Sequence, residues 1–508
     1  MKILFLSCLI STSSFALQHD AYYLKNKKLN KKNWAKEDKV VDQKLKALKK
    51  KLKKAPNIIY ILADDVGWNE LGSYLGGKLR GTPTPNLDEM AKKGMKFLAA
   101  YSEPSCTPTR IAQLTGRHPV RTGVIDVLWP GDKGGMSGKE VTVAEVLKKG
   151  DYHTAFWGKW HVGEHKGQLP EDQGFDYAYY NTFNGAPWAW PDMQKMYEAD
   201  AVTGKGWVFD MPSEKEYEEK YGIRLDGIYR FNKGKKKEVG RVSSTKMPEF
   251  EAESFKQIKE FITEKSKTKK PFFINWHTFA QQMAGSPKEQ RLRKGVDSRN
   301  NQAAQLVMHD DQIKELRTHL RDLGIAENTL LVWWSDNGPM YAFWPNAGYS
   351  LLRGEKGDVY EGGVRVPALA EWPGMIKPGQ DPMDMIHVTD LFTTAARVAG
   401  LTRKIPNDRI TDGVDQMPYF LFGEGHSRRN VMFHYSGDHL GAVRMGDLKQ
   451  RIIAGGGHGG LPGMEVYNIK RDIGEKFGAM YNYLWTVVPF KRLIGGHMKR
   501  NKRFPHRK

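Results

Sequence analysis

The chain has 508 residues, 40% hydrophobic and 11% aromatic, which excludes a disordered polypeptide and suits one large folded domain with a smaller companion. Lysine and arginine outnumber aspartate and glutamate 79 to 58, a formal net charge of +21 that attracts polyanions: nucleic acid, anionic membrane surfaces, or sulfated and carboxylated polymers. Two cysteines are too few for a disulfide framework, and the lysines cluster at the termini without the aromatic spacing of a nucleic-acid platform.

In chain order, residues 1–16 read as a signal peptide. Met1-Lys2 gives a positive start, Ile3 to Ile10 an apolar centre, and Ser14-Phe15-Ala16 a small-residue exit, which predicts an exported protein, periplasmic or secreted. Cys8 would leave with this segment, so Cys106 has no partner. No later stretch is long and apolar enough to be a transmembrane segment. Residues 17–54 form a lysine-rich arm with Val41, Leu45, Leu48 and Leu52 at helical spacing. The arm reads as a solvated helix packing weakly on the body, or as a tether to an anionic polymer or envelope.

Residues 55–422 carry the pattern of one domain. Asn57 to Ala63 is a continuous apolar run, as in a strand buried on both faces, and it ends in Asp64-Asp65. Helical patterning follows at Asn86 to Lys93 and at Thr142 to Lys149, where Thr142 and Glu145 suit a capping box. Tyr152 to Trp157 is a second strand, ending in Gly158-Lys159-Trp160-His161. Pro271 to His277 is a third, and Ala303 to Leu323 is helical. Thr329 to Trp334 is a fourth strand, ending in Ser335-Asp336-Asn337-Gly338. Strands alternating with helices predict an α/β fold: a large, mainly parallel sheet sandwiched by helices, with ligands bound beyond the carboxyl ends of the strands. Between Asp176 and Phe250 an insertion is expected, with a hairpin turn at Asn232-Lys233-Gly234. Residues 423–508 read as a smaller α+β subdomain on a short antiparallel sheet, followed by a basic tail.

The chemistry-bearing residues gather at those strand ends. Asp64, Asp65, Asp336 and Asn337 offer only oxygen, a donor set for Ca2+ or Mg2+ rather than zinc, although each pair alone also suits a turn or cap. Lys159 and His161 alternate, so a cation and a proton carrier can face one side. Lys356 sits in the glycine-rich run Arg353 to Gly357. Cys106-Thr107-Pro108-Thr109-Arg110 reads as a turn entering a helix, with the cysteine facing helix N–H groups and Arg110 together. Alone, Cys106 reads rather as a small buried hydrophobe.

Taken together, from about Pro56 to Met480 and in order, these motifs resemble the type I sulfatases of the alkaline phosphatase-like superfamily. Cys106 to Arg110 followed by Leu114-Thr115-Gly116-Arg117 is similar to their signature. Gly158 to His161, Ser335 to Gly338, Lys356-Gly357 with Glu361-Gly362-Gly363, and Val466-Tyr467-Asn468 with Asp472 and Glu475 match the rest. The resemblance implies that a formylglycine-generating or sulfatase-maturing enzyme oxidises Cys106 to formylglycine (3-oxoalanine). One hydroxyl of its hydrate attacks sulfur, and the second loses its proton as sulfate leaves. It further implies Asp64, Asp65, Asp336, Asn337 and modified Cys106 as ligands of Ca2+, ahead of Mg2+. Arg110 would hold the hydrate, His161 take its proton, and Lys159 and Lys356 neutralise the sulfate. The substrate would be a sulfate ester, small or on a polysaccharide that the +21 charge attracts. A phosphodiesterase or phosphonate hydrolase of the same superfamily, or an impaired polyanion-binding homologue, are the alternatives. One departure stands out: where the family places a second histidine near the leaving group, this chain has Gln282, with His277 a few residues earlier.

Overall fold

The computed structural model describes residues 17–129, 132, 134–183, 214–222, 224, 226–243, 246–280, 293–297, 300–343, 350–452, 464–478 and 480–504. Its centre is β1 (Asn57–Ala63), every residue of which is buried. β1 lies in parallel between β8 (Phe272–His277) and β9 (Thr329–Ser335). β8 continues in parallel to β4 (His153–Lys159), and β4 to β5 (Tyr177–Asn181). The side chains of β1 alternate between two cores. Ile58, Tyr60 and Leu62 join one cluster, and Ile59, Ile61 and Ala63 join another. The helix Met247–Ser266 and the helix Asn301–Asp322 cover the second cluster, while Val143–Lys148 and Asp390–Val398 cover the first. A strand buried on both faces has to be apolar throughout, which is the run seen in the sequence.

The edges of this nine-stranded sheet are antiparallel. β11 (Ala368–Glu371) flanks β9 and is followed by β2 (Met95–Lys96). On the other side, β6 (Gly227–Asn232) and β7 (Lys235–Arg241) extend it as a hairpin, turning through Lys233 and Gly234 with positive φ. The expected mainly parallel sheet is thus a parallel centre with antiparallel margins. A small sheet places β3 (Ala100–Tyr101) between β10 (Arg365–Val366) and β12 (Ile386–His387). The C-terminal antiparallel sheet, β13 (Val431–Ser436), β14 (His439–Met445), β15 (Leu448–Ile452) and β16 (Met464–Asn468), forms as the sequence predicts.

The basic arm is not loosely packed. It forms α1 (Ala21–Leu29) and α2 (Lys31–Leu52), with Val41 fully buried and Leu45 and Leu48 against the main core. The acidic residues scattered among its lysines make the contact. Asp38 pairs with Arg428 at 2.8 Å and Asp42 with Arg397 at 2.9 Å. Just before α1, buried Asp20 meets Arg121 at 3.0 Å and His497 at 2.6 Å. His497 belongs to the basic C-terminal helix Val487–Arg503, so the two basic ends of the chain pack together. The lysine count hides this, because the inward face of α2 is set by Val41, Leu45 and Leu48, while Asp38 and Asp42 pair with the body along its edge. Among the described residues no helix is long and apolar enough to cross a membrane.

Candidate active site

The carboxyl ends of β9, β1 and, across β8, β4 lie along one edge of the parallel centre, and their next residues converge. Asp336 N–H donates to Ala63 O at 2.9 Å, and Asp65 N–H to Asp336 Oδ1 at 3.0 Å. Carboxylate oxygens of Asp64, Asp65 and Asp336 come within 4.8 Å of one another, all buried. Asn337 donates through Nδ2 to Asp65 Oδ1 at 2.7 Å and to Gly338 O at 2.8 Å. Its Oδ1 is buried with no hydrogen-bond partner. An orphaned amide oxygen beside three gathered carboxylates is costly unless a cation takes it up, so these residues fit a hard divalent ion.

Three cations complete the cluster. Lys159, fully buried, places Nζ 2.8 and 3.1 Å from the Asp64 oxygens. Arg110, also fully buried, reaches Asp336 Oδ2 at 2.7 Å and Asp64 Oδ1 at 3.3 Å. Lys356 Nζ lies 2.7 and 3.0 Å from the two oxygens of Asp65. Burial works to raise the Asp64 carboxyl, but Lys159, Arg110 and Lys356 together outweigh it and hold the group well below the usual range. Asp336 moves the other way, raised by burial and by the charge of Asp64.

Cys106 opens α4 (Cys106–Thr115), with Ser105 as N-cap, as the turn-into-helix reading predicts. Thr109 locks this turn to β9 by donating from Oγ1 to Asp336 O at 2.6 Å. The Cys106 thiol, only 2% exposed, lies 3.5 Å from His161 Nδ1. His161 Nε2 is 2.9 Å from Leu128 O, and a carbonyl only accepts, so the proton sits on Nε2 and the Nδ1 lone pair faces the sulfur. Burial, then the nearby charge of Lys159, pushes His161 well below 6.5, so the ring is neutral. Asp65 and His161 both hold φ in the left-handed region, +58° and +56°, a costly backbone for a non-glycine residue.

A family model described as Sulfatase matches residues 56–401. The chain belongs to the sulfatase family. It is a sulfuric ester hydrolase by that membership. It is 32% identical to rat N-acetylgalactosamine-6-sulfatase over 412 residues, covering 78% of this chain and 71% of the relative. Bovine arylsulfatase A is 36% identical over 414 residues, covering 79% and 75%. The solved PsFucS1 sulfatase from Pseudoalteromonas sp. superposes with a TM-score of 0.82 at 30% identity, covering 93% of this chain and 96% of that one.

In this sulfatase all nine residues singled out from the sequence (Asp64, Asp65, Cys106, Arg110, Lys159, His161, Asp336, Asn337 and Lys356) fall in one cluster. Gln282 lies outside the described residues. His277 ends β8 and is fully buried, its Nε2 3.0 Å from Gln113 Oε1 and its Nδ1 3.2 Å from Lys159 O. Both ring nitrogens face protein atoms, and Lys159 O takes the one N–H of the neutral ring at Nδ1, so His277 supports the floor of the site.

Gln113 was missed in the sequence. It also exchanges two hydrogen bonds with Asn275, at 3.0 and 3.1 Å. The signal was present: positions 106, 110 and 113 lie on one face of a helix. Also missed was the clamp behind Lys356. Buried Glu361 takes Tyr101 Oη at 2.6 Å and Lys449 at 3.0 Å, and Lys449 also meets Glu475 at 3.0 Å. This joins the Lys356 loop to the C-terminal sheet through residues 88 apart in sequence.

Two glycines are forced by close backbone approach. A Cβ on Gly338 would lie 1.7 Å from Gly362 O, and one on Gly158 1.9 Å from His277 O. Gly338→Ala must therefore push the Asn337 turn away from the Lys356 loop. The expected result is a stability loss of about 2–3 kcal/mol by denaturant unfolding, with a lower kcat.

The sign of the pH dependence follows from the neutral histidines. His161 and His277 are both held well below 6.5, each first by burial. The unfolded chain binds those protons at higher pH than the fold does. Stability is therefore fully present above about 6.5 and declines as pH falls below it. For activity, a base at His161 Nδ1 stays unprotonated through the ordinary histidine range, so the acid limb of kcat/KM lies below 6.5. Tm and kcat/KM across pH check both limbs.

Proposed function

We propose that this sulfatase is an exported enzyme that splits sulfate from sugar esters of a sulfated polysaccharide. Cys106 is oxidised to formylglycine, and Ca2+ is held by Asp64, Asp65, Asp336, Asn337 and the modified residue. The single observation that carries the reading is the Cys106 thiol 3.5 Å from the unprotonated Nδ1 of His161, beside the carboxylates and the unpartnered Asn337 oxygen. A donor set of three carboxylates and an amide oxygen suits Ca2+ better than Mg2+, which keeps more of its water. Modified and metal-bound, the centre supplies an activated oxygen nucleophile and a route for the sulfate to leave again.

The chain's other groups follow from their positions. His161 accepts a proton at Nδ1 while Leu128 O fixes the ring through Nε2. Arg110 holds the nucleophilic side chain from the next turn of α4 and balances Asp64 and Asp336. Lys159 and Lys356 neutralise charge on the sulfate oxygens as it spreads in the transition state. Since both ring nitrogens of His277 face protein atoms, Lys356 or water protonates the departing alcohol. The burial of Cys106 requires its maturing enzyme to act before the fold closes.

The test is one preparation assayed on an aryl sulfate, a phosphate diester and a sulfated oligosaccharide. Sulfate esters are expected to turn over fastest, chelation to abolish the rate, and Ca2+ to restore it better than Mg2+. A faster phosphate diester, or a rate indifferent to chelation, overturns the reading.

A further inference from the structure

Beside Lys356 the surface opens into a cavity of about 400 Å3. Ser105 and Pro108, on either side of Cys106, form one wall, and Lys356 and Gly357 another. The size falls in the range of small-molecule sites, roughly 300–1,000 Å3. Its charge is opposite to that of the chain. Among the described lining residues the ionisable acids and bases are Glu103, Asp126 and Glu355 against Lys356 alone, and Lys356 is paired with Asp65. The surplus positive charge lies elsewhere, on the N-terminal helices and the C-terminal helix.

Each of the three carboxylates is positioned through one oxygen. Glu103, 2% exposed, holds His118 Nδ1 at 2.7 Å through Oε1. Burial works to lower His118, but the charges of Asp412 and Glu103 prevail and raise it. Glu355 Oε2 accepts the Tyr341 N–H at 2.6 Å, and Asp126 Oδ1 the Val127 N–H at 2.7 Å. A carboxylate fixed by one oxygen can offer the other to a hydroxyl, while a second sulfate or a uronate there would meet like charge.

We propose that this cavity is the subsite for the alcohol portion of the substrate, and that it selects a neutral, hydroxyl-rich sugar unit carrying no anionic group besides the sulfate being removed. The inference rests on the sulfatase reading above. It narrows the role of the +21 charge: distant basic surfaces draw in a polyanion, but the unit at the site is singly sulfated.

The experiment compares kcat/KM of the mature enzyme for a monosulfated hexoside and for the same hexoside with a second sulfate on the neighbouring carbon. The Asp126→Asn/Glu355→Gln variant is measured alongside. The wild type is expected to favour the monosulfated sugar by at least about tenfold, mainly through KM. The variant should cut that preference to within about threefold, with KM for the disulfated sugar falling and KM for the monosulfated sugar rising. Calorimetry with Cys106→Ala protein reads the same preference as a ratio of Kd values without turnover. Equal or tighter binding of the disulfated sugar, or a preference unmoved in the variant, overturns the subsite. Failure of wild-type turnover with the binding preference intact overturns the catalytic reading instead.

Discussion

Cys106→Ala is expected to abolish sulfate release, by at least about 10^4-fold in kcat, while the protein keeps its fold. The thiol is 2% exposed, and its nearest polar partner is His161 Nδ1 at 3.5 Å. Alanine removes one heavy atom from a packed position, so stability should change by only about 1 kcal/mol. A sulfur serving as a buried hydrophobe would show the reverse pattern, with stability moving and turnover unaffected. The paired measurement is Tm and kcat on one aryl sulfate, with protein matured in the same host.

The second large effect is on stability as well as rate. Asp64→Ala removes the carboxylate that Lys159 and Arg110 share at zero exposure. Truncating one member of a buried charge network costs about 3–5 kcal/mol, far more than any surface pair here. Asp64→Asn should cost less, because it keeps the shape and an acceptor oxygen, yet it should be equally inactive. Adding Lys159→Met to Asp64→Ala should recover part of the lost stability and none of the rate, since the two residues are in direct contact. Urea unfolding of the wild type, Asp64→Ala, Lys159→Met and the double variant measures the coupling. Additive losses in the double variant would mean that Lys159 and Asp64 are not coupled.

The centre of the fold was legible because its signals are local. β1 is apolar at every position since both of its faces are covered, and the capping box of Thr142 and Glu145 forms as written. The site was legible because parallel strands deliver their carboxyl ends to one edge, so Asp64, Lys159 and Asp336 had to meet. What stayed hidden depends on long-range pairing. Nothing in the residues around Glu361 announces Lys449, and nothing in α2 announces that Asp38 and Asp42 will find Arg428 and Arg397. His277 was ambiguous for a related reason. Its strand position was readable, but the Gln113 amide that faces it comes from the helix Cys106–Thr115.

The acidic cavity beside Lys356 shows the same limit. Glu103, Asp126 and Glu355 are far apart in the chain and look like ordinary surface acids until the fold places them around one space. Net charge says nothing about the residues that line the space beside Lys356.

The central claim is that Cys106 is the precursor of the nucleophile. Peptide mass spectrometry across Cys106 in the active fraction from the native source tests it most directly. The expected result is an aldehyde at position 106, captured by a hydrazide reagent, in proportion to specific activity. An unmodified thiol throughout a fully active fraction would contradict it.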